Sequence, residues 1–218
     1  MKEALALYGR ALAGATATSG PAGPLVRFDD GVLVPFPVSR FVAPADQLDL
    51  TLLEDVDGPV LDVGCGPGRH LRALHARGVY GLGVDLSPVA VAIARSGGAR
   101  AMVADIFGEL PGVGSWRTAL LLDGNIGIGG DPVRLLSRLR ALLHPEGAVL
   151  VELEPPGSTV RASRARIELA GESSEWFAWA RVAACDLPAV AAGSEMWTER
   201  EWSCEGRWFA RLRPIAHA

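Results

Sequence analysis

The strongest constraint on the fold of this 218-residue chain is one segment, VLDVGCGPG at residues 60–68. A short apolar strand runs into a turn that contains three glycines, and a helix-forming segment follows. Glycines let the backbone approach a ligand closely, and the free N–H groups at a helix start favour a carboxylate or a phosphate. The segment therefore predicts a strand–turn–helix unit that binds such a group.

Short apolar runs alternate with segments of helical periodicity around this unit. The strands are predicted at 59–63, 80–85, 100–105, 116–123 and 147–154. Helices are predicted after the glycine turn, after Ser87-Pro88 and after Asp131-Pro132, because Ser or Asp caps a helix that proline begins. Nearly all-apolar strands that alternate with helices indicate a parallel sheet covered on both faces. We predict an α/β, Rossmann-like single domain over 1–218, with its core at 58–154.

The two flanks of this core have different patterns. Residues 1–54 are predicted to form a cap of helix and hairpin, since Asp29-Asp30-Gly31 separates two strand-like runs. Residues 155–218 are predicted to hold further strands and a closing antiparallel hairpin. Because residues 1–43 have no place in the central sheet, we expect them to cover the carboxyl ends of its strands as a lid. Packing on helices, or dimerisation, is the alternative role.

Composition excludes several classes of protein. Apolar residues make up 49% and charged residues 21%, which indicates a globular chain. No apolar run reaches about 18 residues, so we predict no membrane partner. The net charge of −4, without a basic cluster, disfavours binding to nucleic acid. Three cysteines without a C-x-x-C motif fit a reducing compartment, and we predict a cytoplasmic protein.

Acidic residues stand at the ends of the first three core strands. Asp62 precedes the glycine turn, Asp85 ends the second strand and Asp105 ends the third. A carboxylate at position 85 can accept hydrogen bonds from both ribose hydroxyls. A carboxylate at position 105 can accept a hydrogen bond from an adenine amino group. Arg69 stands where a dinucleotide fingerprint has its third glycine, which disfavours a nicotinamide cofactor. The pattern predicts a nucleoside ligand at the carboxyl ends of the strands.

These motifs resemble those of class I S-adenosylmethionine-dependent methyltransferases, because LDVGCGPG, GVDLS and ADIF occur in the family's order. The resemblance covers about residues 58–154 well, and the flanks are more loosely similar to small bacterial members of uncertain substrate. It implies a mainly parallel seven-stranded sheet whose last strand is antiparallel. It also implies S-adenosyl-L-methionine as the cofactor and S-adenosyl-L-homocysteine as the product.

The resemblance also implies contacts for each part of the cofactor. The glycine turn would hold the methionine end, Asp85 the ribose, and Asp105 with Ile106 the adenine. The complete set of predicted cofactor-binding residues is Asp62, Gly64, Cys65, Gly66, Gly68, Asp85, Leu86, Asp105, Ile106 and Asp123. For Asp62, orientation of the glycine turn is an equal alternative to direct contact.

Catalytic and substrate residues are predicted with less support. The segment after the fourth strand would line the methyl-transfer site, which makes Asp123 and Asn125 catalytic candidates, with turn formation as the alternative role. The lid would contribute the candidate substrate contacts Tyr8, Arg27, Arg40 and Phe41. His70 could act as a general base, but a polar residue without a chemical role is the favoured interpretation. The tryptophans of the last third are predicted to fill space behind the closing hairpin, with an aromatic acceptor pocket as the alternative.

The predicted function is methyl transfer to an O, N, S or C nucleophile of a small molecule by in-line displacement. Residues 123–126 lack the Asn/Asp-Pro-Pro-aromatic motif of relatives that methylate nucleic-acid amino groups. The chain also lacks the carboxylate set of catechol-type members, so we predict no metal. A methyltransferase of RNA or protein, and a cofactor-binding protein with a cyclase or regulatory role, remain alternatives. The acceptor and the oligomeric state stay open.

Overall fold

The computed structural model describes residues 1–15, 23–158 and 161–216. Within these ranges the elements, in chain order, are α1 (Lys2–Ala15), β1 (Leu25–Phe28), β2 (Leu33–Pro35), α2 (Val38–Val42), α3 (Gln47–Glu54), β3 (Val60–Val63), α4 (Arg69–Ala76), β4 (Gly81–Asp85), α5 (Pro88–Ser96), β5 (Ala101–Val103), β6 (Trp116–Leu121), α6 (Pro132–Leu142), β7 (Leu143–Leu153), β8 (Arg161–Leu169), β9 (Glu172–Ser173), β10 (Phe177–Arg181), α7 (Leu187–Gly193), β11 (Met196–Cys204) and β12 (Arg207–Pro214). None of the helices in these ranges is both long and apolar enough to cross a membrane.

The larger sheet has seven strands in the order β11-β12-β7-β6-β3-β4-β5. The strands from β7 to β5 pair in parallel, whereas β12 runs antiparallel to both of its neighbours, β7 and β11. This arrangement confirms the predicted Rossmann-like α/β fold with an antiparallel last strand. The parallel order reverses between β3 and β6, so the carboxyl ends of these strands form a crevice where ligands of open α/β sheets bind.

Helices bury both faces of this sheet. Along β6, Ala119 and Leu121 pack into the cluster that holds the leucines of α6, whereas Leu120 packs with α3 and α4 on the opposite face. This alternation follows from the two-residue period of a strand. The predicted helix caps are also confirmed. Ser87 Oγ accepts a hydrogen bond from the Ala90 N–H at 3.2 Å, and Asp131 Oδ1 accepts one from the Arg134 N–H at 3.0 Å.

A second, antiparallel sheet was not predicted from the sequence. Its strands lie in the order β10-β8-β1-β2, and β9 pairs with β8. The predicted Asp-Gly hairpin forms its β1–β2 edge, with Gly31 at a φ of +89°. β8 pairs with the other edge of β1, so that Val26 lies opposite Ile167. The N-terminal cap and the C-terminal strands therefore form one layer. Local periodicity could not show this, because a hairpin leaves an open edge without specifying which distant strand pairs with it.

The second sheet rests against the loop that follows β6. In the turn Asn125–Gly127, a Cβ atom added to Gly127 would collide with the carbonyl oxygen of Ala180 and lie 2.6 Å from Trp179 Nε1. Ile128 forms an isolated antiparallel bridge with Trp179. Only glycine permits this close approach. The contact sets the second sheet beside the strand ends of the first.

Candidate active site

A cavity of about 330 Å³ lies at the carboxyl ends of β3, β4 and β5. Its lining combines the glycine turn and the strand ends with residues of α1 and of the second sheet. The predicted site residues that line it are Tyr8, Phe41, Asp62, Gly64, Cys65, Gly66, Asp85, Leu86, Asp105, Ile106, Asp123 and Asn125. The structure thus brings together most of the predicted residues, while the ligand contact of each one stays a prediction.

The glycine turn between β3 and α4 needs glycine for two reasons. Gly64 and Gly66 adopt φ angles of +69° and +52°, which L side chains rarely adopt. A Cβ atom at Gly64 would lie 2.8 Å from Asn125 Nδ2, and one at Gly66 would lie 3.1 Å from the Tyr8 hydroxyl. The turn therefore presents bare backbone to the cavity, with Asn125 on one side and Tyr8 on the other.

Asp85 links the end of β4 to this turn. Its Oδ2 accepts a hydrogen bond from the Gly66 N–H at 2.9 Å, and its Oδ1 accepts one from the Ser87 N–H at 2.7 Å. Burial raises the pKa of Asp85, although these two hydrogen bonds oppose the shift. Each carboxylate oxygen keeps a second lone pair, so Asp85 can still accept hydrogen bonds from a ligand hydroxyl.

Asp62 is a buried carboxylate with unused hydrogen-bonding capacity. Its side chain lines the cavity, and its Oδ2 has no hydrogen-bond partner among the described residues. Burial raises the pKa of Asp62 to about 6. An unpartnered buried carboxylate is unfavourable, and a cationic donor in the cavity would relieve this cost. The position fits an ammonium group.

At the end of β5, Asp105 borders an apolar part of the cavity. Ile106 is buried, and Leu86 and Phe107 also line this region. Asp105 Oδ1 accepts a hydrogen bond from the Phe107 N–H at 2.9 Å, which is typical of an aspartate that stabilises a turn. The apolar side chains beside a carboxylate fit a flat ring that carries an amino group.

The structure gives Asn125 and Asp123 contacts that favour positioning roles. Asn125 Nδ2 donates to the carbonyl oxygens of Val63 at 2.9 Å and Gly64 at 3.0 Å, so the amide holds the glycine turn in place. Asp123 accepts two hydrogen bonds from Arg69, at 2.7 and 3.0 Å. Burial would raise the pKa of Asp123, but Arg69 lowers it, which makes this carboxylate a weak base. Their proposed part in catalysis stays a prediction.

A network of charged residues that reaches the cavity lining was not predicted from the sequence. Asp49, on α3, is buried and accepts hydrogen bonds from Arg69 at 2.8 and 3.2 Å, and its Oδ1 lies 3.5 Å from His70 Nε2. Burial would raise the pKa of Asp49, but His70 and Arg69 hold it well below its usual range. Arg207, on β12, reaches Glu152 at 2.7 Å and Asp49 at 3.4 Å. The sequence signal that could have revealed this network is Glu152, a charged residue within the apolar run of β7.

Three predicted site residues do not line the cavity. Arg27 pairs with Glu168 of the second sheet at 2.6 Å, because the pairing of β1 with β8 places Arg27 opposite Arg166 and diagonal to Glu168 on the same face. Arg40 lies 3.2 Å from Asp49 and so belongs to the charged network. Gly68 faces α5, where a Cβ atom would lie 2.9 Å from Ala94 Cβ. Position 68 therefore requires glycine because the turn packs closely against α5.

Aromatic residues of the cap and the second sheet complete the cavity. Phe36 lies between Tyr8 and Phe41, with ring centroids 5.5 Å from each. Trp179 and Phe177, on β10, also line the cavity. The tryptophans thus divide between the two predicted roles. Trp202 packs on Phe209 at 5.8 Å behind the closing hairpin, as the favoured hypothesis expected, whereas Trp179 lines the pocket.

In the described part of the chain, no group of three or more His, Cys, Asp or Glu side chains is arranged to hold a metal ion.

Comparisons with known proteins agree with this architecture. Residues 60–147 match the family model described as a methyltransferase domain. An S-adenosylmethionine-dependent methyltransferase from Bacteroides fragilis, crystallised with S-adenosyl-L-homocysteine, is similar with a TM-score of 0.78 at 22% identity. The match covers 96% of this chain and 94% of that one.

Two further solved structures share the fold. The CcbJ methyltransferase from Streptomyces caelestis has a TM-score of 0.61 at 15% identity, over 81% of this chain and 92% of that chain. The 1,6-didemethyltoxoflavin-N1-methyltransferase from Burkholderia thailandensis, with that molecule and S-adenosylhomocysteine bound, has a TM-score of 0.59 at 18% identity. The match covers 78% of this chain and 78% of that chain.

Proposed function

We propose that this chain, whose residues 60–147 match the methyltransferase-domain model, is a class I S-adenosylmethionine-dependent methyltransferase that methylates a small-molecule acceptor. The matched methyltransferase domain and the shared fold support S-adenosylmethionine as the methyl donor. The observation that carries the proposal is the glycine turn hydrogen-bonded to Asp85 in the lining of the cavity. The small-molecule acceptor, the O, N, S or C atom that attacks and the cytoplasmic location are proposed, because the matched domain and the shared fold do not specify them.

The residues present fit this cofactor. The unpartnered Oδ2 of Asp62 offers an acceptor for the ammonium group, and the absence of side chains at Gly64 and Gly66 lets the methionine end of the cofactor approach the backbone closely. Asp85 would hold the ribose, and Asp105 with Ile106 would hold the adenine. When bound, S-adenosylmethionine supplies a methyl carbon made electrophilic by the adjacent sulfonium.

The protein's own contribution is to orient the acceptor and exclude water. Alignment of a nucleophile with the methyl carbon in a dry pocket can supply roughly 7–11 kcal/mol of the rate enhancement. Tyr8, on α1, lies against the glycine turn, and burial raises the pKa of its hydroxyl well above the usual value. Tyr8 therefore stays protonated and can donate a hydrogen bond. We propose that α1 acts as a lid over the cavity.

The size of the cavity favours a small acceptor over a polymer. Its volume of about 330 Å³ lies within the usual range of ligand pockets, and the cofactor occupies part of it, so little room is left for a large acceptor. The similar Burkholderia protein is described with a bound small molecule, which supports the same class here. The acidic net charge of −4 disfavours an RNA acceptor.

Calorimetry with S-adenosylmethionine and S-adenosylhomocysteine tests the proposal. We expect both to bind, and we expect Asp85→Ala to weaken binding by about 2–3 kcal/mol because charge-assisted hydrogen bonds are lost. Asp105→Ala should cost less, because packing and backbone also hold the adenine. Glu146→Ala, on an exposed pair far from the cavity, serves as the control. Absence of heat with either ligand, on folded protein, would refute the assignment.

A further inference from the structure

The cavity has two walls of opposite character. The ends of β3, β4 and β5 supply its carboxylates, including Asp62 and Asp85. The facing wall, from α1, α2 and the second sheet, is apolar and largely aromatic. Its side chains are Leu5, Phe36, Phe41, Ile167, Phe177 and Trp179. Because the proposed cofactor occupies the carboxylate wall, the apolar wall is the surface left for the acceptor.

Strand register turns the charged side chains Arg166 and Glu168 of β8 away from the cavity. Along β8, Ala165 and Ile167 are buried, whereas Arg166 and Glu168 alternate with them on the other face. Phe177 pairs directly with Ala165, so Phe177 and, two residues on, Trp179 share the face of Ile167. The second sheet thus turns its apolar face to the cavity.

Three arginines of this sheet, Arg27, Arg166 and Arg181, do not line the cavity. Arg27 and Arg166 both pair with Glu168, at 2.6 and 2.8 Å. Arg181 pairs with Glu154 at 3.0 Å and lies over the ring of Phe28. An anionic acceptor placed against this wall would therefore lose its hydration without gaining a cationic side chain from the described lining residues of the second sheet.

We propose that the acceptor is a flat, uncharged aromatic amine or N-heterocycle that binds against Phe177 and Trp179; this inference rests on the proposed function. Flat rings gain from contact with aromatic side chains, and a neutral molecule avoids the cost of burying a charge. Phe177 and Trp179, with centroids 6.2 Å apart at 88°, present two differently oriented rings to such a molecule.

The chemistry of this class suits the wall. The nitrogen lone pair forms the bond to the methyl carbon, while the carbon–sulfur bond breaks and its electron pair stays on sulfur. The positive charge thus moves from sulfur to nitrogen, and aromatic rings favour a neighbouring cation. An aromatic amine then releases a proton from the methylated nitrogen to water, and an N–H heterocycle releases it from its N–H nitrogen. A neutral amine attacks without prior loss of a proton, so it needs no base. This suits the apolar wall, where Tyr8 is the only ionisable side chain among the described lining residues.

Matched probes test the acceptor class in binding experiments on the full chain saturated with S-adenosylhomocysteine. The neutral probes are 3-aminoquinoline and indazole, and their charged counterparts are quinoline-3-carboxylate and indazole-3-carboxylate. We expect each neutral probe to bind roughly tenfold or more tightly than its carboxylate, because only the carboxylate must give up its hydration. Trp179→Ala and Phe177→Leu should each weaken the neutral probes roughly tenfold. Trp202→Ala, outside the cavity, should not.

The outcomes separate this inference from the proposed function. Unchanged affinity for S-adenosylhomocysteine in the variants, with loss of the neutral probes, would support the acceptor site. Equal affinity for neutral and charged probes, binding of neither neutral probe, or neutral binding that both cavity variants leave intact would overturn it. Failure of the proposed function would instead appear as no binding of S-adenosylhomocysteine by the unmodified chain.

Discussion

Arg69 Nε donates a hydrogen bond to Asp49 Oδ2 at 2.8 Å, with both side chains almost completely buried, at 3% and 1% exposure. The contact joins the first turn of α4, directly after the glycine turn, to α3. Arg69 also pairs with Asp123 after β6, and Arg207 joins the same group from β12. Residues of α3, α4, β12 and the segment after β6 therefore meet in one set of charges that borders the cavity and holds the start of α4, directly after the glycine turn, in position.

Removal of Asp49 should destabilise the fold strongly. Asp49→Ala leaves the buried Arg69 without one of its two carboxylate partners, and breaking one side of a buried ion pair typically costs about 3–5 kcal/mol. Urea denaturation should show a lower free energy of unfolding. Glu146→Ala, which removes the exposed partner of Arg117, is the matched control and should leave the midpoint nearly unchanged. Equal midpoints for the two variants would contradict a stabilising role of the network.

Asp62 should make the stability of the ligand-free protein depend on pH. Its pKa of about 6 lies above the ordinary value of 3.8, so the folded chain binds more protons than the unfolded chain between these values. The penalty for ionising Asp62 is absent below about pH 4, grows as the pH rises, and reaches roughly 3 kcal/mol above about pH 6. Asp62→Asn should therefore be more stable than the original protein at about pH 7, and this advantage should vanish near pH 4.

Urea denaturation of both proteins across this range measures that difference. An Asp62→Asn effect of the same size at both ends of the range would show that Asp62 has an ordinary pKa. Ligand should reverse the sign of the effect near neutral pH, because the ionised Asp62 then gains an ammonium partner.

Gly127 should be essential for docking the second sheet. An added Cβ atom would meet the Ala180 carbonyl and the Trp179 ring, so Gly127→Ala must displace β10. Overpacking of this kind costs about 1–3 kcal/mol. We expect lower thermal stability together with weaker binding of the neutral aromatic probes. Gly14→Ala is the matched control, because this helical glycine has open space around it and alanine favours a helix. Similar behaviour of the two variants would refute the role of the close contact.

The core could be predicted from the sequence because its signals are local. The strand–turn–helix unit, the helix caps at Ser87 and Asp131, and the carboxylates at the ends of β3, β4 and β5 all lie within a few residues of the elements that they define. Each parallel strand is buried on both faces, which leaves a continuous apolar run that can be recognised in isolation.

The roles of individual site residues depended on contacts that the sequence does not show. Arg69 departs from a dinucleotide fingerprint, but its partners Asp49 and Asp123 lie on other elements. Asn125 lies in a glycine-rich loop, and only its hydrogen bonds to Val63 and Gly64 show that it holds the turn. A side chain's partners set its protonation and orientation, so spacing alone could not separate a catalytic group from a positioning group.

By itself, the sequence determined the parallel core, the glycine turn and the order of acidic residues that fit a nucleoside cofactor. Only the tertiary structure decided the charged network and the apolar wall of the cavity, whose members are far apart in the chain. Arg27 and Glu168 are separated by 141 residues, and Arg207 and Asp49 by 158. Local periodicity records which face of an element is buried. Three tertiary features determine which distant element covers that face. They are the open edge of the β1–β2 hairpin, complementary charges, and the absence of a side chain at Gly127.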